Sequence, residues 1–256
     1  MVPDAQVKPL AVGDMMLRTR DGRPPFEHVG DILHAGDILF GNVETVLSDR
    51  GQAVEKAIHL EASPNNVRYL KEAGFDVVSV ANNHVLDRGP EAFRDTLAAL
   101  HEAGLVVIGA GDRIYSQSWG IVQRNRLRLG FLGYYLFGAR LKNDGIYLNK
   151  ICIPSILEDM EQLQRQCDCI VVSLHWGTEG PFFPSPDQIK QARAIIDAGA
   201  SVILGHHPHV LQAVERYKHG LIAYSLGNFQ FFGSSPGMTN RTMVLQVTIG
   251  QHGVRD

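Results

Sequence analysis

The chain has 256 residues, 45% of them hydrophobic and 20% charged, with a formal net charge of −3. That length allows a sizeable core within one α/β domain, and the balance is that of an ordinary globular protein. There is no Lys/Arg run, no signal-peptide pattern in the opening MVPDAQVKPLAVGDMM and no apolar window of about 18 residues, so neither a nucleic-acid partner nor a membrane segment is expected and the cytoplasm is the expected location.

Short apolar runs alternate with helical spacing along the chain. Residues 7–12 and 38–42 read as strands, and 64–73 as a helix ending at Gly74. A strand at 77–81 precedes a helix at 90–103, which opens on Pro90 and spaces Phe93, Leu97 and Leu100 along one face before Gly104. After a strand at 106–109, the segments 121–124 and 127–134 flank Asn125-Arg126 as a hairpin. Cys167 and Cys169 straddle the start of a strand at 170–174 and read as buried reduced thiols rather than half of a disulfide framework. A helix at 186–198 with Ile189, Ala192 and Ile196 on one face stops at Gly199, and a strand follows at 202–205. The last third reads as strands at 221–226 and 242–249, the first after the turn Lys218-His219-Gly220. Strands apolar throughout are covered on both faces, so the expected architecture is two sheets face to face with helices outside, in a single domain over 1–256.

Chemistry-bearing side chains recur just after these runs. Asp14 follows 9–13, Asn42 and Glu44 follow 37–41, and Asn82, Asn83 and His84 follow 76–81. His175 follows 170–174, and His206 follows 201–205. Ligands of open α/β sheets bind beyond the carboxyl ends of the strands, and five such ends meeting at one rim make a cradle for a cation. The plain alternatives are a turn aspartate at Asp14, a solvated edge at Asn42 and Glu44, and a core histidine at His175. In an extended chain His207 and His209 point the same way, as joint ligation requires, while His206 points the other way as a supporting or acid/base group. Asp87 either orients the His84 ring or caps the following helix. The remaining histidines (His28, His34, His59, His101, His219 and His252) read as solvent-facing or packing residues. Trp176, Phe182, Phe183, Phe229, Phe231 and Phe232 are candidates to line a cleft beside the cation.

Six stretches carry a resemblance: Gly13-Asp14-Met15-Met16; Phe40-Gly41-Asn42-Val43-Glu44; residues 73–84 with Leu86, Asp87 and Gly89; Ser173-Leu174-His175-Trp176-Gly177; residues 205–209; and Tyr224-Ser225-Leu226-Gly227-Asn228-Phe229. By these the chain resembles the CapA family of bacterial capsule-synthesis (poly-γ-glutamate) proteins, which share the calcineurin-like metallophosphoesterase fold. The resemblance implies a four-layer αββα sandwich with one or two divalent ions held by Asp14, Glu44, Asn83, His84, His175, His207 and His209. Two departures from the superfamily pattern stand out: Met16 replaces the histidine of the first Asp-x-His, and Glu44 replaces the bridging aspartate.

Imidazoles and carboxylates admit Mn, Zn, Fe or Ca. The expected function is that of a metal-dependent enzyme acting on a peptide or poly-glutamate-like substrate at an amide, by hydrolysis or transfer. His84, Asp87, His175 and His206 are the acid/base candidates. The alternatives are a Cα-epimerase for ribosomally made peptides, a phosphoesterase, and a non-catalytic metal-stabilised binding protein.

Overall fold

A computed structural model describes residues 5–19, 23–137, 145–232, 237–251 and 253–255; His252 lies outside them. Among the described residues the strands form two six-stranded sheets and several short pairings. The first sheet runs Asn228–Gln230, Pro9–Met15, Ile38–Val43, Val77–Ser79 and Val106–Ile108, all parallel, with Leu245–Gln246 antiparallel on Pro9–Met15. The second runs Val214–Tyr217, Gly220–Ala223, Val202–His206, Cys169–His175, Leu127–Tyr135 and Trp119–Arg124, parallel in the middle and antiparallel at each edge. Every residue of Pro9–Met15, Cys169–His175 and Val202–His206 is buried, which suits their apolar residues and takes Asp14, His175 and His206 out of solvent with them.

The buried side chains form three layers. Between the sheets lie Phe40, Val77, Phe131, Val171 and Leu204, with the Phe40 and Phe131 rings stacked at 6.2 Å. Outside the first sheet, Leu70 of the helix Val67–Glu72 and Phe93, Leu97 and Leu100 of Gly89–Glu102 cover Val12, Val43 and Val78. Outside the second, Ile156, Met160 and Leu163 of Ile153–Gln164 pack with Ile195 and Ile196 of Pro186–Asp197 over Ile170, Val172 and Ile203. The layers are helix, sheet, sheet, helix: the αββα sandwich of the calcineurin-like fold. Among the described residues no helix is long and apolar enough to cross a membrane.

Local chemistry explains most boundaries. Ser185 and Gln188 close a reciprocal capping box at the start of Pro186–Asp197, satisfying two backbone donors that the first turn leaves open. Gly104 ends Gly89–Glu102 at φ 82, a left-handed conformation that costs glycine nothing. In the hairpin Asn125 and Arg126 adopt φ 50 and 70, as the two-residue turn between Trp119–Arg124 and Leu127–Tyr135 demands. Several details differ from expectation, among them the expected strand 242–249, of which Leu245–Gln246 and Ile249–Gly250 alone form strands. The stretch 64–73 opens as a 3-10 turn, Pro64–Asn66, before becoming α-helical. The helix Ile153–Gln164 is an addition to the expected elements, although Ile156, Met160 and Leu163 repeat at helical spacing after Pro154. Cys167 and Cys169 are buried and unpaired, and burial raises both thiols, Cys167 to about 11.

Candidate metal centre

The two sheets bring their carboxyl ends to one rim. In the first, Asp14 is in register with Asn42, and the backbone N–H of Glu44 donates to Met15 O at 2.8 Å. In the second, His175 is in register with both His206 and Tyr135. Asp14, Asn42 and Glu44 are all 0% exposed, which rules out a surface turn and a solvated edge for these side chains. Gly13 makes the arrangement possible: a Cβ there would lie 1.9 Å from Gly227 O, the atom that accepts the Asp14 backbone N–H.

Three groups of ligand-type atoms form, each with its members within 4.8 Å of one another: Asp14, Glu44 and His209; Glu44, His175 and His207; and Glu179, His207 and His209. Asn83 adjoins the second, its Oδ1 2.7 Å from His175 Nε2. Both Glu44 oxygens and His207 Nδ1 are buried without a hydrogen-bond partner. Orphaned buried acceptors are costly, and a divalent ion satisfies carboxylate and imidazole lone pairs together. The donor set therefore fits such an ion.

Electrostatics agree with this donor set. Burial, and then the Asp14 charge, raise the Glu44 carboxyl well above its ordinary range. Burial would also raise Asp14, but the imidazoles of His206, His209 and His175 outweigh it and hold that carboxyl far down. Burial lowers His175 well below its usual value and His207 to about 4, so both rings are neutral, as ligation needs.

A ring of hydrogen bonds sets these side chains. Asn42 Nδ2 donates to Asp14 Oδ1 at 2.8 Å, and Asn82 Nδ2 to Asn42 Oδ1 at 3.3 Å and Val43 O at 2.8 Å. Asn228 Oδ1 lies 2.7 Å from His209 Nδ1, leaving Nε2 of that ring to face Glu44 Oε1 at 3.9 Å. Such partners fix ring orientation and basicity.

His84 lies at the edge of the cluster, its Nε2 3.9 Å from Glu44 Oε1 and outside the three groups. Its Nδ1 meets Asp87 Oδ2 at 2.5 Å, and Lys56 Nζ contacts Asp87 Oδ1 at 2.9 Å and His84 Nδ1 at 3.0 Å. Asp87 thus orients the ring; the helix it would otherwise cap begins at Gly89 without a side-chain cap. His206 is fully buried, with Nδ1 3.2 Å from Asp14 Oδ1, and lines neither of the two cavities beside the cluster. The extended reading of 207–209 is corrected: His207 and His209 sit at φ 93 and 57, so a turn rather than a strand brings their rings to 5.8 Å.

Two cavities flank the cluster. One of about 660 Å³ is walled by Val85, Leu86, Tyr135, Phe137 and Leu148 and reaches Lys56 and His207. The other, of about 400 Å³, reaches His84 and His209 and is walled by Ile58, Leu60, Phe231 and Phe232. Of the aromatic candidates, Phe231 and Phe232 line a cavity, whereas Trp176 stacks on Tyr224 in the outer core and Phe229 stacks on Phe26. Phe182 and Phe183 are exposed. Sequence reasoning missed Lys56, Glu179 and Asn228 as participants, and placed Asn42 and Asn82 at the rim without their bracing role; for Asn228 and Glu179 a signal existed, one beside Phe229 and the other four residues after His175.

Fold and site define a calcineurin-like metallophosphoesterase architecture with a candidate metal cluster at the strand ends. A phosphatase structure from Mycoplasma pneumoniae has the same fold, with a TM-score of 0.62 over 99% of this chain and 92% of that one at 15% identity. The family of bacterial capsule synthesis protein PGA_cap matches residues 8–232, and the chain belongs to that family. It is 38% identical to the capsule biosynthesis protein CapA of Bacillus anthracis, over 80% of this chain and 53% of that protein. It is 35% identical to the PGA biosynthesis protein CapA of Bacillus subtilis, over 80% and 56%. The chain thus spans about half the length of the curated relatives it matches.

Proposed function

We propose that this protein is a metal-dependent enzyme that acts on a peptide or poly-glutamate-like chain at an amide, by hydrolysis or transfer. The observation that carries the reading is the fully buried Glu44 carboxylate, without a hydrogen-bond partner and shared by two groups of ligand-type atoms, Asp14–His209 on one side and His175–His207 on the other. A divalent ion held there supplies Lewis acidity toward a carbonyl or phosphoryl oxygen. Asn83 completes the His175–His207 side with a neutral oxygen donor. His84, braced by Asp87 and Lys56, faces the same centre from the edge and is the side chain best placed to hold or pass a proton. The names of the relatives, in capsule and PGA biosynthesis, motivate the choice of an amide-linked substrate.

The epimerase alternative needs two acid/base groups on opposite faces of one Cα. His206 is fully buried beside Asp14 and His175 is buried against Asn83, so neither is a counterpart to His84 and the amide reading is preferred. The test is incubation of the metal-loaded protein with poly-γ-glutamate, short peptides and a generic phosphoester in heavy water, followed by mass analysis. Fragments or transfer products are expected. A one-dalton gain at unchanged length would replace this reading with epimerisation, and phosphate release alone would replace it with phosphoester cleavage.

A further inference from the structure

We propose that Glu179 is a cation ligand of this centre, contributed from its open side; the inference rests on the metal-centre reading above. Glu44 and Asp14 approach from the buried floor, whereas Glu179 is exposed and belongs to the loop that follows Cys169–His175. One of its carboxylate oxygens nevertheless lies within 4.8 Å of ring nitrogens of both His207 and His209. The three groups interlock: Glu44 is common to the first two, His207 to the last two, and His209 to the first and third. Glu179 is therefore continuous with the cluster rather than a separate acidic patch.

The loop is shaped to keep it there. Gly177 has φ 82, and a Cβ on it would meet the Gln188 side chain at 2.7 Å. The Gly180 backbone N–H donates to Pro208 O at 3.0 Å, tying the residue after Glu179 to the turn that carries His207 and His209. Among the described residues, no hydrogen bond or ion pair engages the Glu179 carboxylate. The donor count also leaves it a place. Glu44, His175, His207 and Asn83 make four donors on one side, whereas Asp14, Glu44 and His209 make three on the other. Glu179 groups with His207 and His209, one from each side, and so offers a further donor between the two. Its position between the two cavities, both of which it lines, places it where it also limits how a substrate reaches the ion.

The test is calorimetric titration of the metal-free chain with Mn(II) chloride, for the parent, Glu179→Gln and Glu179→Asp. Glu55→Gln serves as a control for charge alone, since Glu55 is likewise exposed. Glu179→Gln is expected to weaken binding about 10–100-fold or to remove one equivalent, with Glu179→Asp intermediate. Glu55→Gln should stay within about threefold of the parent, as removal of a screened surface charge does. Because Glu179 is exposed, the metal-free melting temperature should not move, which separates lost ligation from lost folding. Parent-like affinity and stoichiometry in Glu179→Gln would overturn this inference alone, as would equal losses in Glu179→Gln and Glu55→Gln. A parent chain that takes up no ion would overturn the metal-centre reading with it.

Discussion

Replacing Glu44 by glutamine is expected to abolish the thermal stabilisation that divalent ions give this protein. An ion present at about 100 times its dissociation constant adds ~2.7 kcal/mol, which for a chain of this size is a rise of about 5–10 °C in melting temperature. In Glu44→Gln that rise should vanish, because Glu44 is common to the groups on both sides of the cluster. The metal-free variant should at the same time be no less stable than the parent near neutral pH. The sign comes from the raised carboxyl. Below its ordinary value of 4.5 the group is protonated whether the chain is folded or not, and burial costs little. As pH rises the unfolded chain releases the proton while the folded one resists, so the metal-free parent loses stability across that window. Glu44→Gln should remove this part of the slope. Melting curves against pH, with and without ion, check both halves; an undiminished ion-induced rise in the variant would remove Glu44 from the site.

Gly13→Ala is expected to be strongly damaging at the rim. The added Cβ would fall 1.9 Å from Gly227 O and 2.9 Å from its carbonyl carbon, both backbone atoms that no rotamer change can clear. The strand Asn228–Gln230 would have to separate from Pro9–Met15, breaking the 2.9 Å bond from Asp14 N to Gly227 O. Overpacking costs about 1–3 kcal/mol, a fall of about 2–12 °C in melting temperature. Asn228 would move with its strand, so His209 would lose the partner that orients it and ion affinity should fall in the same variant. A melting temperature unchanged by the extra methyl group would contradict this packing.

Much of the architecture is legible in the sequence because it rests on short-range signals. Largely apolar runs such as residues 170–174 fit strands covered on both faces, and the residues just past the end of each run emerge at the carboxyl rim. Strand-end position and the family resemblance together group Asp14, Glu44, Asn83, His84, His175, His207 and His209 as an expectation, of which His84 lies at the edge of the cluster. Periodicity cannot express contact between distant irregular segments. Lys56 belongs to a stretch with no regular element, yet its ammonium reaches Asp87, 31 residues further on. Asn42 and Asn82 read as neighbours of ligands, and only the sheet register shows that they link Asp14 to the loop after Val77–Ser79. The turn at 207–209 reads as extended because nothing in Gly205-His206-His207-Pro208-His209 signals two histidines with positive φ. Trp176 reads as a cleft residue from its position after His175, but a large apolar ring next to a buried strand is drawn to the outer core, where its Nε1 finds Tyr224 O at 3.1 Å.

The most direct measurement is anomalous diffraction from crystals of the full chain grown with Mn(II). The strand-end site requires a peak within about 2.0–2.6 Å of a Glu44 oxygen and of ring nitrogens of His175 and His207, the range of ordinary carboxylate and imidazole coordination. Crystals saturated with the ion that show the peak elsewhere, or none at all with these side chains in their present positions, would contradict it.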